Sequence, residues 1–287
     1  MQKIIVIGAN GQLGTDICNV FKHYNVVPLT HNQVEVSSFD SCQINIQSYA
    51  PDVIINTSAF HNVEQCENDP ITAYRVNALG PRNLAIIAKK IKAVLVHIST
   101  DYVFDGYTNQ PYQEHDLPLP LNVYGITKLA GEHFIQSIFD EYYIFRTSAL
   151  YGDAICRGKN APNFVDRMIE LSKTKEKLRV VDNEIVSPTS TCCLAKQIDK
   201  AISTGLTGLY HATSQGSCSW YQFTKQIFDI MEIKTPLEKA GPDEFPVKVP
   251  RPLYSVLHNT MLQQSCMDIM PSWENSLKDY LNKKKNI

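Results

Sequence analysis

Long apolar runs, a charge excess of either sign and paired cysteine motifs are all missing from this 287-residue chain. No apolar stretch approaches the ~20 residues of a bilayer span, which excludes a protein built on transmembrane helices. With 27 Lys and Arg against 29 Asp and Glu, the formal net charge is −2, without the basic excess that nucleic acid or an anionic membrane surface attracts. The eight cysteines are scattered and form no CxxC pair; Cys192 and Cys193 adjoin but lack a second pair to complete a zinc site. Met1-Gln2-Lys3 leads into only the short apolar run Ile4–Ile7, too little for the core of a secretory signal. Reduced, buried thiols in a cytoplasmic protein are therefore expected. Internal repeats and low-complexity tracts are absent, and Lys283-Lys284-Lys285 reads as a solvated tail.

What the chain does contain is short β-branched runs alternating with helical patterns over residues 1–150. Lys3–Ile7, Val26–Leu29, Val53–Asn56, Val94–Ile98 and Tyr142–Arg146 read as strands. Helices are predicted through Leu13, Ile17, Val20 and Phe21, from an Asp69-Pro70 start, and from Tyr124 to Phe139. Gly80-Pro81 should bend or restart the second of these, which continues to Ile91. Such alternation implies an α/β fold, a Rossmann-type doubly wound parallel sheet whose ligands bind at the carboxyl ends of the strands. Gly11, Ser58, Thr100 and Ser148 fall at those ends. Residues 151–287 are less regular. A loop over Gly152–Asn163, a helix opening at Asn163-Phe164-Val165, strands at Leu178–Val181 and Gly208–His211, and helices over Cys193–Ile202 and Ser219–Met231 are predicted there. This half is expected to be mainly a smaller α/β substrate-binding domain, with segments returning to the first domain.

The first strand runs into Gly8, Ala9, Asn10, Gly11, Gln12, Leu13 and Gly14, then a helix, the context a dinucleotide fingerprint requires. Gly8 permits a tight turn, Gly11 a close backbone approach to a pyrophosphate, and Gly14 close packing of helix on strand. The helix N-terminus offers free N–H groups to the phosphates. Thr30-His31-Asn32, after the second strand, carry neither the acid that grips an NAD ribose nor an arginine for a 2′-phosphate, which leaves NADPH and NADH both open. The candidate cofactor contacts are Gly8, Asn10, Gly11, Gln12 and Leu13, then Glu35 and Val36 beside an adenine, then Ser58, Ala59 and Phe60 after the third strand. Asn77, on the following helix, reads equally well as a local partner of the backbone.

Tyr124 and Lys128 are four residues apart on one helix and so share a face. A free phenol, with a pKa of about 10, is a poor acid near neutrality. An ammonium at Lys128 and the helix N-terminus are both expected to lower it. Thr100, at the end of the Val94–Ile98 strand, would hold a carbonyl oxygen while Tyr124 delivers a proton and a nicotinamide supplies hydride.

The order Gly8-xx-Gly11-Gln-Leu-Gly14, Val63-Glu-Gln-Cys-Glu67, Ser99-Thr-Asp-Tyr-Val-Phe-Asp-Gly106 and Tyr124-xxx-Lys128 resembles the extended short-chain dehydrogenases/reductases. More narrowly it is similar to the dTDP-4-dehydrorhamnose reductases. Arg146-Thr-Ser148, Asn163-Phe-Val165, Ser219-Trp-Tyr221 and Arg251-Pro-xx-Ser255 also match, so the likeness covers nearly the whole chain. The resemblance implies NAD(P)H-dependent reduction of the 4-keto group of a dTDP-linked 6-deoxyhexose. It makes Thr100 and Tyr124 the residues that meet the sugar, and Lys128 the one that holds the nicotinamide ribose. It adds Asp101, Tyr102, Asn163 and Arg251 as substrate contacts. Where the bacterial rhamnose enzymes often have tryptophan after Arg-Thr-Ser, this chain has Ala149, which leaves the exact sugar open. Some relatives bind magnesium through acids at a dimer contact; Asp16 matches one such position, but Cys192 replaces another acid, so no metal is expected. A homodimer is compatible with the resemblance. Sugar-nucleotide dehydratases of the superfamily carry Asp-Glu where this chain has Asp101-Tyr102, which removes the base for elimination. The competing reading from another class is a non-catalytic NAD(P)-binding subunit resembling the regulatory β subunit of methionine adenosyltransferase. The acidic Val63–Glu67 segment favours the reductase.

Overall fold

Short β-branched runs flanked by polar residues become parallel strands, because a strand covered by helices on both faces hides every side chain. The computed structural model describes residues 1–155, 161–241, 244–245 and 248–285. Its first part comprises β1 (Lys3–Ile7), α1 (Gln12–Val20), β2 (Asn25–Leu29), α2 (Phe39–Gln47), β3 (Val53–Asn56), α3 (Val63–Asn68) and α4 (Pro70–Tyr74). Next come α5 (Gly80–Ile91), β4 (Val94–Thr100), α6 (Val123–Ile138) and β5 (Tyr142–Thr147). The remainder holds β6 (Leu150–Tyr151), α7 (Phe164–Thr174), β7 (Leu178–Val180), β8 (Ile185–Val186), β9 (Thr189–Ser190), α8 (Thr191–Thr204) and β10 (Gly208–His211). It ends with β11 (Cys218–Ser219), α9 (Trp220–Met231), β12 (Leu237–Lys239), α10 (Thr260–Gln264) and α11 (Trp273–Lys285).

Six of these strands form one sheet in the order β10-β5-β4-β3-β1-β2, with every neighbouring pair parallel. The fold is thus the doubly wound α/β sheet that the alternation predicts. Alternate residues of β1 serve opposite cores: Ile4 and Val6 pack with Leu13 and Ile17 of α1 and Leu194 and Ile198 of α8, whereas Ile5 and Ile7 pack with α2 and α5. Edge strand β2 tolerates Pro28, which has no N–H to offer a further neighbour. A third core, around Tyr151, Val165, Phe223, Trp273 and Leu277, joins α7, α9 and α11. Because the strands are parallel, Gly8, Ser58, Thr100 and Ser148 follow or end β1, β3, β4 and β5 on the same edge of the sheet.

Three local expectations need correction or qualification. Gly80-Pro81 restarts the α-helix without breaking the chain's helical path: a π-helical turn, Arg75–Leu79, runs straight into α5, which begins at Gly80. Pro81 lacks an N–H, and a widened turn absorbs the break in the hydrogen-bond ladder. The lysine run is not a free tail but the last turn of α11, where Lys284 Nζ pairs with Asp166 at 2.6 Å. Of the described cysteines, Cys42, Cys66 and Cys218 are buried, but Cys18, Cys192 and Cys193 are half-buried and Cys266 is exposed. Part of the loop expected at Gly152–Asn163, residues 156–160, lies outside the described residues.

Candidate active site

The glycine turn is built by steric necessity. Gly8 has φ +78°, and a Cβ there would sit 2.7 Å from Thr57 Oγ1. At Gly14 a Cβ would lie 2.2 Å from the Gly8 carbonyl oxygen, so only glycine lets α1 start this close to the turn. Gly11 caps α1 with no side-chain hydrogen bond, which leaves the first-turn N–H groups facing outward with no side-chain cap. That cradle suits the pyrophosphate of a dinucleotide. Asn10 is half-buried in the turn, Leu13 is buried beneath it, and Gln12 Nε2 reaches the Gly152 carbonyl at 3.5 Å.

The other expected cofactor contacts lie in the loops after β2 and β3. Val36 is buried and its carbonyl accepts from Asn83 Nδ2 at 3.0 Å. The Glu35 carboxylate turns onto its own loop, accepting from Ser37 N at 2.9 Å and facing His31 Nδ1 at 3.3 Å. Ser58 donates its N–H to Asn56 Oδ1 at 3.1 Å, and Ala59 follows. Asn77 clamps Phe60 from both sides: its Oδ1 accepts from Phe60 N at 2.8 Å and its Nδ2 donates to Phe60 O at 2.9 Å. The same Nδ2 donates to Thr127 Oγ1 on α6 at 3.1 Å, so Asn77 is a long-range brace rather than a local partner.

Tyr124 reaches the strand ends because α6 starts there. Asn122 caps α6, accepting from Gly125 N at 2.9 Å, while its Nδ2 donates to the Pro250 carbonyl at 2.9 Å. Gly125 lies against the turn after β4, where a Cβ would be 2.1 Å from Tyr102 O. The Thr100 hydroxyl stands close enough to the Tyr124 phenol to favour its charged form. The rings of Tyr102 and Tyr124 meet edge to face, with centroids 5.7 Å apart. Thr100 Oγ1 accepts from Tyr102 N at 3.2 Å and donates to Asp101 Oδ1 at 3.0 Å. Buried Asp101 also accepts from Ser148 Oγ at 2.7 Å, and the Ser255 hydroxyl stands close enough to favour its charged form. One carboxyl thus gathers the ends of β4 and β5 and the Arg251–Ser255 segment, and burial holds its pKa above the usual carboxylate range. Arg251 is close enough for its charge to act on the Tyr102 phenol. Asn163 is not tied to this cluster: it caps α7 through Asp166 N at 3.1 Å and donates to Gly152 O at 2.8 Å and Tyr280 Oη at 2.9 Å.

The electrostatics differ from the expectation. Burial raises the Tyr124 phenol well above its ordinary value, and the Thr100 hydroxyl opposes this only in part. Lys128 is buried, and loss of solvation pulls it down to about 8, against the upward pull of Glu132. The groups that act on the Tyr124 phenol are Thr100, Asp101, Cys66 and Tyr102, so the lowering expected from the Lys128 ammonium is not seen. Lys128 Nζ donates to the Ile98 carbonyl at 2.6 Å and lies 3.1 Å from His97 Nε2. His97 Nδ1 lies 3.1 Å from Asn56 Nδ2.

One helical turn beyond Lys128, Glu132 accepts from Ser99 Oγ and takes Arg146 in a fork, with Nη2 at 2.7 Å and Nε at 3.1 and 3.2 Å from its two oxygens. The sequence reading missed His97, Asn56 and Glu132 as parts of the site. Signals existed: a histidine interrupts an otherwise apolar strand, and Glu132 continues the four-residue spacing of Tyr124 and Lys128.

The family model described as "RmlD substrate binding domain" matches residues 1–286. The chain is 37% identical to the spore coat polysaccharide biosynthesis protein SpsK of Bacillus subtilis, over 100% of this chain and 99% of that one. The crystal structure of a dTDP-4-dehydrorhamnose reductase from Clostridium acetobutylicum superposes with a TM-score of 0.94 at 40% identity, covering 99% of this chain and 100% of that one. The dTDP-4-dehydrorhamnose reductase of Bacillus anthracis, solved in complex with NADP, gives a TM-score of 0.94 at 37% identity, covering 99% and 100%. Likeness of this extent, on a glycine-turn cradle facing a Thr–Tyr–Lys cluster, establishes that the chain belongs to the dTDP-4-dehydrorhamnose reductase family of extended short-chain dehydrogenases/reductases.

Proposed function

We propose that this protein uses NADPH or NADH to reduce the 4-keto group of a nucleotide-linked 6-deoxyhexose, converting dTDP-4-dehydro-L-rhamnose to dTDP-L-rhamnose for cell-surface polysaccharide synthesis. The observation that carries this reading is the buried Tyr124 phenol beside Thr100, on the strand edge that also carries the glycine turn. When bound, the reduced nicotinamide supplies a hydride to the carbonyl carbon. Gly8, Gly11 and the open start of α1 would receive its pyrophosphate, and Lys128 would hold its ribose. The carbonyl oxygen then needs a proton, and Tyr124 is suited to give one. Burial keeps the phenol protonated at neutral pH, the state a general acid must occupy before the step. Thr100 stands beside the phenol and would turn its hydroxyl from Asp101 Oδ1 to the same oxygen. Tyr102 and Arg251 would line the sugar side, and Asp101 holds Thr100 and Ser148 in register. Asn163 would act on substrate indirectly, by fixing the chain at Gly152. The same reading places the reaction in the cytoplasm and treats residues 151–287 as mainly the sugar-covering part. No helix among the described residues is long and apolar enough to cross a membrane.

The test is a turnover assay across dTDP-, UDP- and GDP-linked 4-keto sugars with each cofactor. Oxidation of NAD(P)H with the dTDP sugar is expected. The Tyr124→Phe variant should bind cofactor normally and lose roughly 10²–10⁴ in turnover. Cofactor binding with no turnover on any sugar would instead favour the regulatory-subunit reading.

A further inference from the structure

The string of side chains behind Lys128 specifies more than its position. Ser58 N–H can only donate, so the Asn56 atom 3.1 Å away must be the amide oxygen. The Asn56 nitrogen then faces His97 Nδ1 at 3.1 Å, and an amide nitrogen only donates. Nδ1 must therefore accept. His97 is fully buried, and burial keeps its ring neutral, so the single ring proton sits on Nε2. Nε2 lies 3.1 Å from Lys128 Nζ. An ammonium has no lone pair and would meet this N–H donor to donor, whereas an amine can accept it and still donate to the Ile98 carbonyl at 2.6 Å.

The alternatives fail. Flipping Asn56 sets its NH₂ against Ser58 N–H. Moving the ring proton to Nδ1 sets it against Asn56 Nδ2. Turning the ring over removes both nitrogens from both partners.

We propose that His97 is a positioning residue which, as the Nε2–H tautomer oriented by Asn56 and Ser58, stabilises the uncharged amine of Lys128 and so weakens its hold on a proton in the free protein. The other groups facing Lys128 do not oppose this strongly. From α6, Tyr124 is a protonated phenol, and Glu132 already pairs with Arg146 of β5. From β4 the facing titratable group is His97 itself, and beyond Tyr124 stand Asp101 and Cys66. The lowering of Lys128 to about 8 agrees with this arrangement. The consequence for catalysis, which rests on the reductase reading, is that the charge Lys128 would offer the nicotinamide ribose arises only when its amine takes up a proton. Activity that depends on that charge falls as pH rises through Lys128's titration, and His97 sets where.

The test uses the full chain with no nucleotide added. Long-range ¹H–¹⁵N correlation of the histidine rings above the Lys128 midpoint, with His97 assigned from its loss in His97→Gln, is expected to show a protonated Nε2 and a bare Nδ1. An Nδ1–H tautomer or a charged ring overturns the proposal, and this measurement needs only the wild-type fold. Lysine ¹³Cε titration, assigned with Lys128→Met, should show Lys128 losing its proton near 8. In His97→Gln, whose amide can turn its oxygen to an ammonium, that midpoint should rise by ~1 unit or more. A Lys128 that stays charged to about pH 10, its ordinary range, or a midpoint unmoved in His97→Gln, also overturns it. The alkaline limb of kcat/KM should move with the midpoint. If the resonances behave as expected but no 4-keto sugar is turned over, the reductase reading fails while the charge state of Lys128 stands.

Discussion

Removing Glu132 tests whether one buried ion pair holds the catalytic helix against the sheet. Glu132 and Arg146 have side-chain exposures of 1% and 4%, and their fork ties α6 to β5, while Ser99 adds a bond from β4. These are the three elements that carry Tyr124 and Lys128, Ser148, and Thr100. In Glu132→Ala the guanidinium stays buried with no carboxylate, beside a Phe104 ring 5.2 Å away and the buried His211. Arg146 Nη1 already lacks a hydrogen-bond partner among the described residues, so little local compensation is at hand. Breaking a buried pair from one side costs about 3–5 kcal/mol, a large share of the ~5–15 kcal/mol that holds a typical protein together. Denaturant midpoints at pH 7 should report that loss. Glu132→Gln keeps the shape and sacrifices only the charge-assisted part, about 1.5–3 kcal/mol. The decisive variant combines Glu132→Leu with Arg146→Met: it removes both charges and should recover most of the stability lost in Glu132→Ala. A Glu132→Ala loss below ~1 kcal/mol, or a double variant whose losses simply add, refutes the buried-charge argument.

Gly14→Ala should damage cofactor binding and stability together, because its Cβ meets backbone atoms of Gly8 and Ala9 at 2.2–2.9 Å. Overpacking of this kind costs about 1–3 kcal/mol; NADPH fluorescence titration with an unchanged Kd would argue against the cradle. His211 gives the protein an acid-sensitive core. Burial, with Arg146 nearby, pulls it from 6.5 to about 3, so between those values the unfolded chain binds a proton that the folded chain refuses. Stability should therefore fall as pH drops below 6.5, by ~2 kcal/mol at pH 5, and His97 adds to the slope in the same direction. His211→Asn, which can still donate to the carbonyls of Tyr112 and His258, should flatten the His211 part of that decline in urea midpoints measured at pH 7 and 5. An unchanged slope would remove His211 from the explanation.

The features legible in the chain are those whose causes are local. Lys3–Ile7 and Val53–Asn56 are too short and too apolar for anything but buried strands, and both form as expected. Asp69 and Asn163 announce helix starts, and each accepts the N–H three residues on. Gly8 and Gly14 mark a turn where a Cβ would collide with Thr57 Oγ1 or the Gly8 carbonyl. Less legible were α2, whose apolar face is weakly patterned, and the lysine run, whose helical state depends on Trp273, Leu277 and Tyr280 packing far back along the chain. Asn77 lay open because its partner, Phe60, is 17 residues away.

The sequence by itself determined the alternation of strands and helices, the glycine turn, and the Tyr124–Lys128 spacing, since periodicity and backbone sterics act over a few residues. Only the tertiary structure decided the charge on those two side chains. That charge depends on how much water is removed and on which donors are brought near, and here Asn56, His97, Thr100 and Glu132 come from separate elements. The phenol is consequently raised rather than lowered, and the lysine beside it is poised near 8.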